Sequence, residues 1–314
     1  MAGRDVAIVG RNNKYGLTRD AEILRQGLAS IGVQAAVWDM RKRSWIDRLR
    51  RSKVADLVVH LERVHPAWLA GALHHVLIPN QERFPKRHIR RLRRINRVLA
   101  KTRHAEQLFA NLGVHSLHLG FISADRYDPS VSRDWGRFFH LAGGSTLKGT
   151  EDVLALWDAH PEWPELVLVQ NQANAPDSVP PNVTLRCGYL DDSELKRLQN
   201  ACGVHLCPSR SEGWGHNIVE ALSCGAVVVT TDAPPMNEHV TPDCGVLVPI
   251  SRFEPRHLGR KFFVDCHALE QAIERLAAAS PGSARSLGQK ARARFEVLSR
   301  RFDTKIHAMF GQEC

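Results

Sequence analysis

Glu212 and Glu220 stand eight positions apart in SEGWGHNIVEALSCGAVVVTT (Ser211 to Thr231), with two glycines between them and an apolar helix pattern behind. A carboxylate offers two acceptor oxygens, enough to grip two neighbouring hydroxyls of a sugar or ribose. The loop follows the strand-like run VHLCPS and enters a helix near His216. Backbone N–H groups and the positive end of that helix then face whatever sits on the loop, an arrangement suited to a phosphate. Gly213 and Gly215 let the backbone approach such a ligand closely. Taken alone, the plainer alternative is one loop glutamate and one helix-surface glutamate.

The elements that must position these residues read as parallel α/β architecture. Apolar strand-like runs (DVAIVG, VQAAVWDM, ADLVVHL, HHVLIPN) alternate with amphipathic stretches such as TRDAEILRQGLASIG and AEQLFANLG. A second series starts at RFFHLAGG and continues through EDVLALWDAH, ELVLVQ, NVTLRCGYL, DDSELKRLQNA, VHLCPS, GAVVVTT and GVLVPI. HALEQAIERLAAAS and ARARFEVLSRRFDTKIHAMF read as closing helices. Residues 1–125 form one expected Rossmann-like domain and 137–298 another. The polar stretch 126–136 reads as a linker, and 299–314 as a helix returning toward the first domain. Ligands of such sheets bind at the carboxyl ends of the strands, here in a cleft between the two domains.

Composition narrows the setting. The chain has 314 residues, 43% of them hydrophobic, and a mean hydropathy of −0.28. No apolar run approaches a membrane span of about 20 residues, and no signal-peptide pattern opens the sequence. A cytoplasmic chain is the expectation, with peripheral attachment to a membrane as the alternative. Seven cysteines, all from Cys187 onward and with no C-x-x-C pair, read as free thiols rather than a zinc site. The net charge of +10 is unevenly spread: residues 1–125 hold 23 Lys and Arg against 10 Asp and Glu, a net +13. Two basic runs carry most of it, Arg41–Lys53 and Phe84–Arg103. A solvated helix face explains one such run; two in one half favour a polyanionic partner.

PSRSEGWGHNIVEALSCGAVVVTT resembles the E-x7-E region of retaining GT-B glycosyltransferases, the glycosyl transferases group 1 superfamily that includes sucrose and glycogen synthases. Trp214 stands for the usual Phe and Ala226 for the usual Pro. The resemblance implies that Glu212 faces the donor sugar and Glu220 holds the nucleotide ribose. The N–H groups of Gly215, His216 and Asn217 would meet the diphosphate, with Gly213 and Trp214 lining the same loop. HLAGGSTLKGTEDVL resembles the family's K-G helix entry, which makes Lys148 the residue that neutralises the leaving diphosphate. The family's arginine five positions earlier is Gly143 here, leaving Gly144 and the Ser145 and Thr146 hydroxyls in that loop. Tyr189 and Leu190 fall where the nucleobase would lie, with a strand end and core packing as the equal alternative.

The resemblance covers the layout of the first half rather than its letters. Gly10 and Tyr15 belong to its first glycine loop. His60 and Glu62 end one strand, where both read as catalytic or acceptor-binding, and Asn80 and Gln81 end another. Arg41, Arg43, Arg48, Arg90 and Arg94 are the expected phosphate-binding cations. The implied reaction transfers a sugar, with retained configuration, from a nucleotide diphosphate sugar (a UDP-sugar foremost) to an acceptor hydroxyl. No Asp-x-Asp motif is present, so neither metal nor cofactor is expected beyond the donor. The leading acceptor is DNA bearing hydroxymethylated bases, 5-hydroxymethylcytosine in type, as modified by phage enzymes. An anionic membrane lipid or envelope glycan is the alternative acceptor. A non-catalytic nucleotide-sugar or nucleic-acid binding module is a third class, and the set of Lys148, Glu212 and Glu220 argues against it.

Overall fold

A computed structural model describes residues 5–12, 16–44, 46 and 52–311. Tyr15 and Arg48, named above, lie outside the described residues. The chain divides into two compact units. One comprises Met1–Ile122, Pro255–Gly259 and Leu298–Cys314; the other comprises Ser123–Glu254 and Arg260–Val297.

The first unit is built on a six-stranded parallel sheet in the order β2-β1-β3-β4-β5-β6. Its strands are β1 (Val6–Gly10), β2 (Ala35–Asp39), β3 (Leu57–Glu62), β4 (His74–Pro79), β5 (Arg97–Ala100) and β6 (Ser116–His118). The central strands β1 and β3 are buried throughout, which is why they read as unbroken apolar runs. Helix α1 (Gly16–Ser30) buries Leu17, Ala21, Leu24 and Leu28 along one face, the helical period that its sequence shows. Helix α2 (Arg103–Ala110) starts at Thr102, whose hydroxyl accepts the N–H of Ala105. Phe109 of α2 meets Phe84 edge to face at 5.2 Å.

The second unit has its own six-stranded parallel sheet, in the order β12-β11-β10-β7-β8-β9. Its strands are β7 (Asp134–Gly143), β8 (Leu166–Gln170), β9 (Val183–Cys187), β10 (Cys202–Cys207), β11 (Val227–Thr231) and β12 (Gly245–Val248). Numbered within the unit, this is the doubly wound order whose direction reverses between the first and fourth strands. The reversal lies between β7 and β10, so the loops after those two strands are where a ligand site belongs. Helices α3 (Thr150–Ala159), α4 (Asp192–Ala201), α5 (His216–Cys224) and α6 (Cys266–Ala277) accompany the sheet. Phe138, Trp157, Leu166, Leu206, Val229 and Ile273 sit at the centre of its core.

Three features depart from the sequence expectation. The 126–136 stretch is not slack. Its Arg126 is buried and donates to both carboxylate oxygens of Asp192 at 2.8 and 2.9 Å, and β7 already begins at Asp134. Polar composition looks the same whether a segment is solvated or bonded. The closing helix α7 runs unbroken from Pro281 to Phe310, so it starts ten residues before the Ala291 to Phe310 run that reads as a helix. A hairpin of β13 (Ile250–Arg256) and β14 (Gly259–Val264) was not expected at all.

Candidate functional site

In the second unit, the loop from Gly143 to Gly149 leaves β7 and the loop from Pro208 to Gly215 leaves β10. The N–H of Arg210 donates to the carbonyl of Leu147 at 2.8 Å and pins one loop to the other. Gly149 explains how they come so close. Its φ is +71°, and a β-carbon there would lie 2.4 Å from the carbonyl oxygen of Pro208. Only glycine fits, so the glycine after Lys148 serves loop packing as well as backbone shape.

Two helices start at this point. α3 has Gly149 as its N-cap and α5 has Gly215, with φ of +100°, and neither cap supplies a side-chain hydrogen bond. First-turn N–H groups and helix-dipole ends therefore converge where the sheet order reverses. Lys148 lies between them, its Nζ donating to Glu212 Oε1 at 2.6 Å and to Asn217 Oδ1 at 2.8 Å. The Lys148 and Glu212 side chains are mostly but not wholly covered, 15% and 14% exposed. An ammonium group, a carboxylate and two helix starts thus share one small space. It can receive an anion and a hydroxyl-bearing group side by side.

Glu220 is buried on α5 and accepts from Gln199 Nε2 at 3.2 Å. Gln199 Oε1 in turn accepts from Arg126 Nε at 2.8 Å. Arg126 and Gln199 are positioning residues that motif reading missed, because both sit in stretches with no distinctive letters. Trp214 is buried as well: its indole N–H donates to Ser123 Oγ at 3.3 Å, and its carbonyl accepts from His239 Nε2 at 2.6 Å. Burial pushes the His239 imidazole down to about 4, which keeps it a neutral donor. Trp214 therefore ties the loop to Ser123 and His239. His216 Nδ1 lies 2.8 Å from the same Ser123 hydroxyl.

In the loop after β7, Ser145 Oγ accepts the N–H of Leu147 at 3.2 Å, and Gly144 and Thr146 are exposed. No arginine follows β7 in this loop. Arg210, on the neighbouring loop, has its Nη2 at 3.0 Å from Asp152 and 3.2 Å from Glu151 in the first turn of α3. Gly213 lies on the loop between Glu212 and Trp214. Tyr189 is 93% exposed, and Leu190 packs against the core beside Val167, Val169 and Leu198.

The first unit corrects several expectations. His60 is wholly buried, and its two ring nitrogens are used internally. Nδ1 accepts the N–H of His65 at 3.2 Å, and Nε2 faces His75 Nδ1 at 3.2 Å. Burial holds it well below the ordinary histidine range, and the His65 and His75 rings add to this. It is a neutral core histidine rather than a group presented to an acceptor. Glu62 does not share an extended side with it, because the backbone turns at Glu62 to φ +67°; its carboxylate pairs with Arg63 at 2.7 Å. Gln81 is buried. Arg43 is buried too, donating to the carbonyl of Ser52 at 2.8 Å over the ring of Trp68, so it is no surface cation. Which arginine of a basic run turns inward depends on tertiary neighbours that the run itself does not reveal.

Other placements leave the exposed candidates in view. Arg41, Arg90 and Arg94 are exposed, and Gly10 ends β1 beside Leu61. Asn80 is half-buried and its Oδ1 accepts from Lys101 Nζ at 3.0 Å, while Lys101 is also ion-paired with buried Asp20. Lys101 and Asp20 were not legible as a pair, being 81 positions apart.

Among the described residues, His160, Glu270 and Glu274 form the one group of metal-ligating types close enough to share an ion. Both His160 nitrogens already meet carboxylates, Glu162 at 3.0 Å and Glu270 at 2.6 Å. His160 follows the C-terminal end of α3, about 15 Å along that helix from Lys148. The six described cysteines are unpaired, with Cys187 and Cys266 exposed and Cys202, Cys207, Cys224 and Cys244 buried.

Residues 181–293 match the family described as Glycosyl transferases group 1, a stretch that includes Glu212 and Glu220 but not Lys148. No curated protein matches the sequence. Solved structures match over almost the whole chain. Sucrose-phosphate synthase from Thermosynechococcus elongatus is 14% identical with a TM-score of 0.74, covering 98% of each chain. Anabaena Alr3699/HepE, solved in complex with UDP-glucose, is 15% identical with a TM-score of 0.70, again over 98% of each. WaaG, a glycosyltransferase involved in lipopolysaccharide biosynthesis, is 15% identical with a TM-score of 0.71, over 98% of this chain and 100% of its own. The chain thus has the two-unit α/β architecture seen in GT-B glycosyltransferases, and its residues 181–293 are similar to the glycosyl transferases group 1 family.

Proposed function

We propose that the protein transfers a sugar from a nucleotide diphosphate sugar to an acceptor hydroxyl, with retention of anomeric configuration. The observation that carries this reading is the meeting of Lys148, Glu212 and Asn217 at two glycine-capped helix starts. The diphosphate takes the helix starts and Lys148, and Glu212, released from part of its ion pair, accepts hydroxyls of the sugar. Glu220 receives the ribose from its braced position on α5. UDP is the favoured nucleotide, supported by the likeness to a protein solved with UDP-glucose.

In the proposed step, the bond from the anomeric carbon to the diphosphate oxygen breaks. The acceptor oxygen forms its new bond on the same face, and its proton passes to the departing diphosphate. The protein contributes positioning and stabilisation of the growing negative charge. Because Lys148 and the helix starts supply positive charge, no metal is called for, and transfer is expected to survive EDTA. Loss of turnover on chelation, restored by magnesium or manganese, counts against this phosphate site.

For the acceptor, the basic first half favours a phosphate-bearing polymer, with hydroxymethylated DNA foremost. A cell-envelope glycan or lipid is the second reading, supported by the likeness to WaaG. The deciding experiment incubates the protein with UDP-, GDP- and ADP-sugars and duplex DNA with or without 5-hydroxymethylcytosine. The DNA is digested and its nucleosides weighed. A hexose or pentose mass only on hydroxymethylated DNA supports the DNA acceptor. Donor hydrolysis without any such mass moves the envelope acceptor to first place. Indifference to every donor removes the transferase reading itself.

A further inference from the structure

Residues 83–105 hold ten Lys and Arg and not one Asp or Glu. Some basic side chains elsewhere in the chain sit beside an acid one turn away, as Arg25 does with Glu22 at 2.6 Å and Lys53 with Asp56 at 2.5 Å. Among the described residues, no carboxylate pairs with Arg87, Arg90, Arg93 or Arg94.

The local fold arranges these charges. Lys86–Arg94 is a 3-10 helix of nine residues, where runs beyond about four are uncommon. With three residues per turn, every third side chain eclipses. Ile89, Leu92 and the following Ile95 make one column, which packs against Phe84, Val98 and Phe109. His88 and Arg91 belong to a second, with Arg91 Nη1 2.9 Å from His88 Nε2. The third column is Arg87, Arg90 and Arg93, all exposed. The apolar period of three that docks the helix thereby forces three arginines into one outward row. Their spacing along the axis is about 6 Å.

We infer that this row is a docking edge for the phosphodiester backbone of a nucleic acid. Guanidinium forks match phosphate oxygens two at a time, and an evenly spaced row suits an evenly spaced chain of phosphates. No large apolar side chain of residues 83–105 is exposed, whereas a helix that inserts into a membrane surface presents such side chains. The inference deepens the acceptor reading above and rests on it for its purpose. Binding is measured without any sugar donor, so failure of one is distinguishable from failure of the other.

The test titrates the full chain into a short labelled DNA duplex by fluorescence anisotropy between 50 and 200 mM salt. Wild type is expected to bind with a steep salt dependence. The triple variant Arg87→Gln, Arg90→Gln, Arg93→Gln loses about 2.7 from the slope of log K against log salt, roughly 0.9 for each phosphate contact. Arg285→Gln, Lys290→Gln, Arg300→Gln removes three exposed charges from α7 and leaves the slope in place. Thermal melts check that both variants are folded, and the single Arg90→Gln, with a loss of about 0.9, serves if the triple is not. Equal loss in both triples reduces the row to net charge and overturns the inference. Wild type that ignores DNA but sediments with phosphatidylglycerol vesicles overturns it in favour of a membrane.

Discussion

Lys148 donates one hydrogen bond to the Glu212 carboxylate and one to the Asn217 amide oxygen. A diphosphate at this site must therefore compete with both partners for the ammonium. Lys148→Ala is expected to lower transfer by about 2.7–4 kcal/mol at the transition state, a hundredfold or more, by removing charge stabilisation from the leaving group. Glu212→Ala is expected to fall as far, through lost sugar orientation and an unpaired lysine. Initial rates at saturating donor, with a melt to confirm folding, measure both. Near wild-type turnover in either variant sinks the assignment. A subtler outcome belongs to Gln199→Leu. Glu220 loses the amide that holds it, so UDP affinity measured by calorimetry should weaken about tenfold, the scale of one hydrogen bond to a charged group.

At the scale of elements, the two glycine caps differ in what constrains them. Gly215 has φ of +100°, and a β-carbon there would meet Ile218 Cδ1 at 3.2 Å, a flexible side chain. Gly149 would put its β-carbon 2.4 Å from a backbone carbonyl, which cannot step aside. Gly149→Ala is therefore expected to destabilise by about 1–3 kcal/mol, as overpacking does, and more than Gly215→Ala. Urea titration of both variants ranks them, and the reverse order would contradict the close approach to Pro208. The strands and the loop carrying Glu212 were legible because parallel strands are apolar throughout and the helix entry has a fixed order of glycines. The basic 3-10 helix was not. Its apolar period of three matches neither the helical nor the strand template, so Ile89, Leu92 and Ile95 gave no recognisable face. The β13–β14 hairpin was hidden likewise, since Ser251, Arg252, Glu254 and Arg256 dilute its alternation. His60 was misplaced because a strand buried on both faces gives no sign of which polar side chain points into packing.

For the molecule as a whole, the histidines set the response to acid. Burial pushes His65, His140 and His239 down to about 4 and His205 to about 3, from an ordinary 6.5. Each stays neutral in the folded chain and takes up a proton more readily once unfolded. Between pH 6.5 and 4 the unfolded chain thus binds more protons, so stability is whole above 6.5 and is lost as pH falls toward 4. His160 runs the other way, raised by its hydrogen bonds to Glu270 and Glu162. Unfolding free energies from urea titrations at pH 7, 5.5 and 4.5 should fall steadily, by several kcal/mol in all at about 1.4 kcal/mol per tenfold change in proton affinity. A stability that holds to pH 5 would show that these imidazoles are not buried as described.

The backbone bond from Arg210 to Leu147 and the contact of Gly149 with Pro208 leave an imprint on how this chain can vary. Positions 149 and 208 are tied to each other by packing, so a side chain at 149 would require the backbone at 208 to move with it. Anyone redesigning the proposed donor site inherits that restriction.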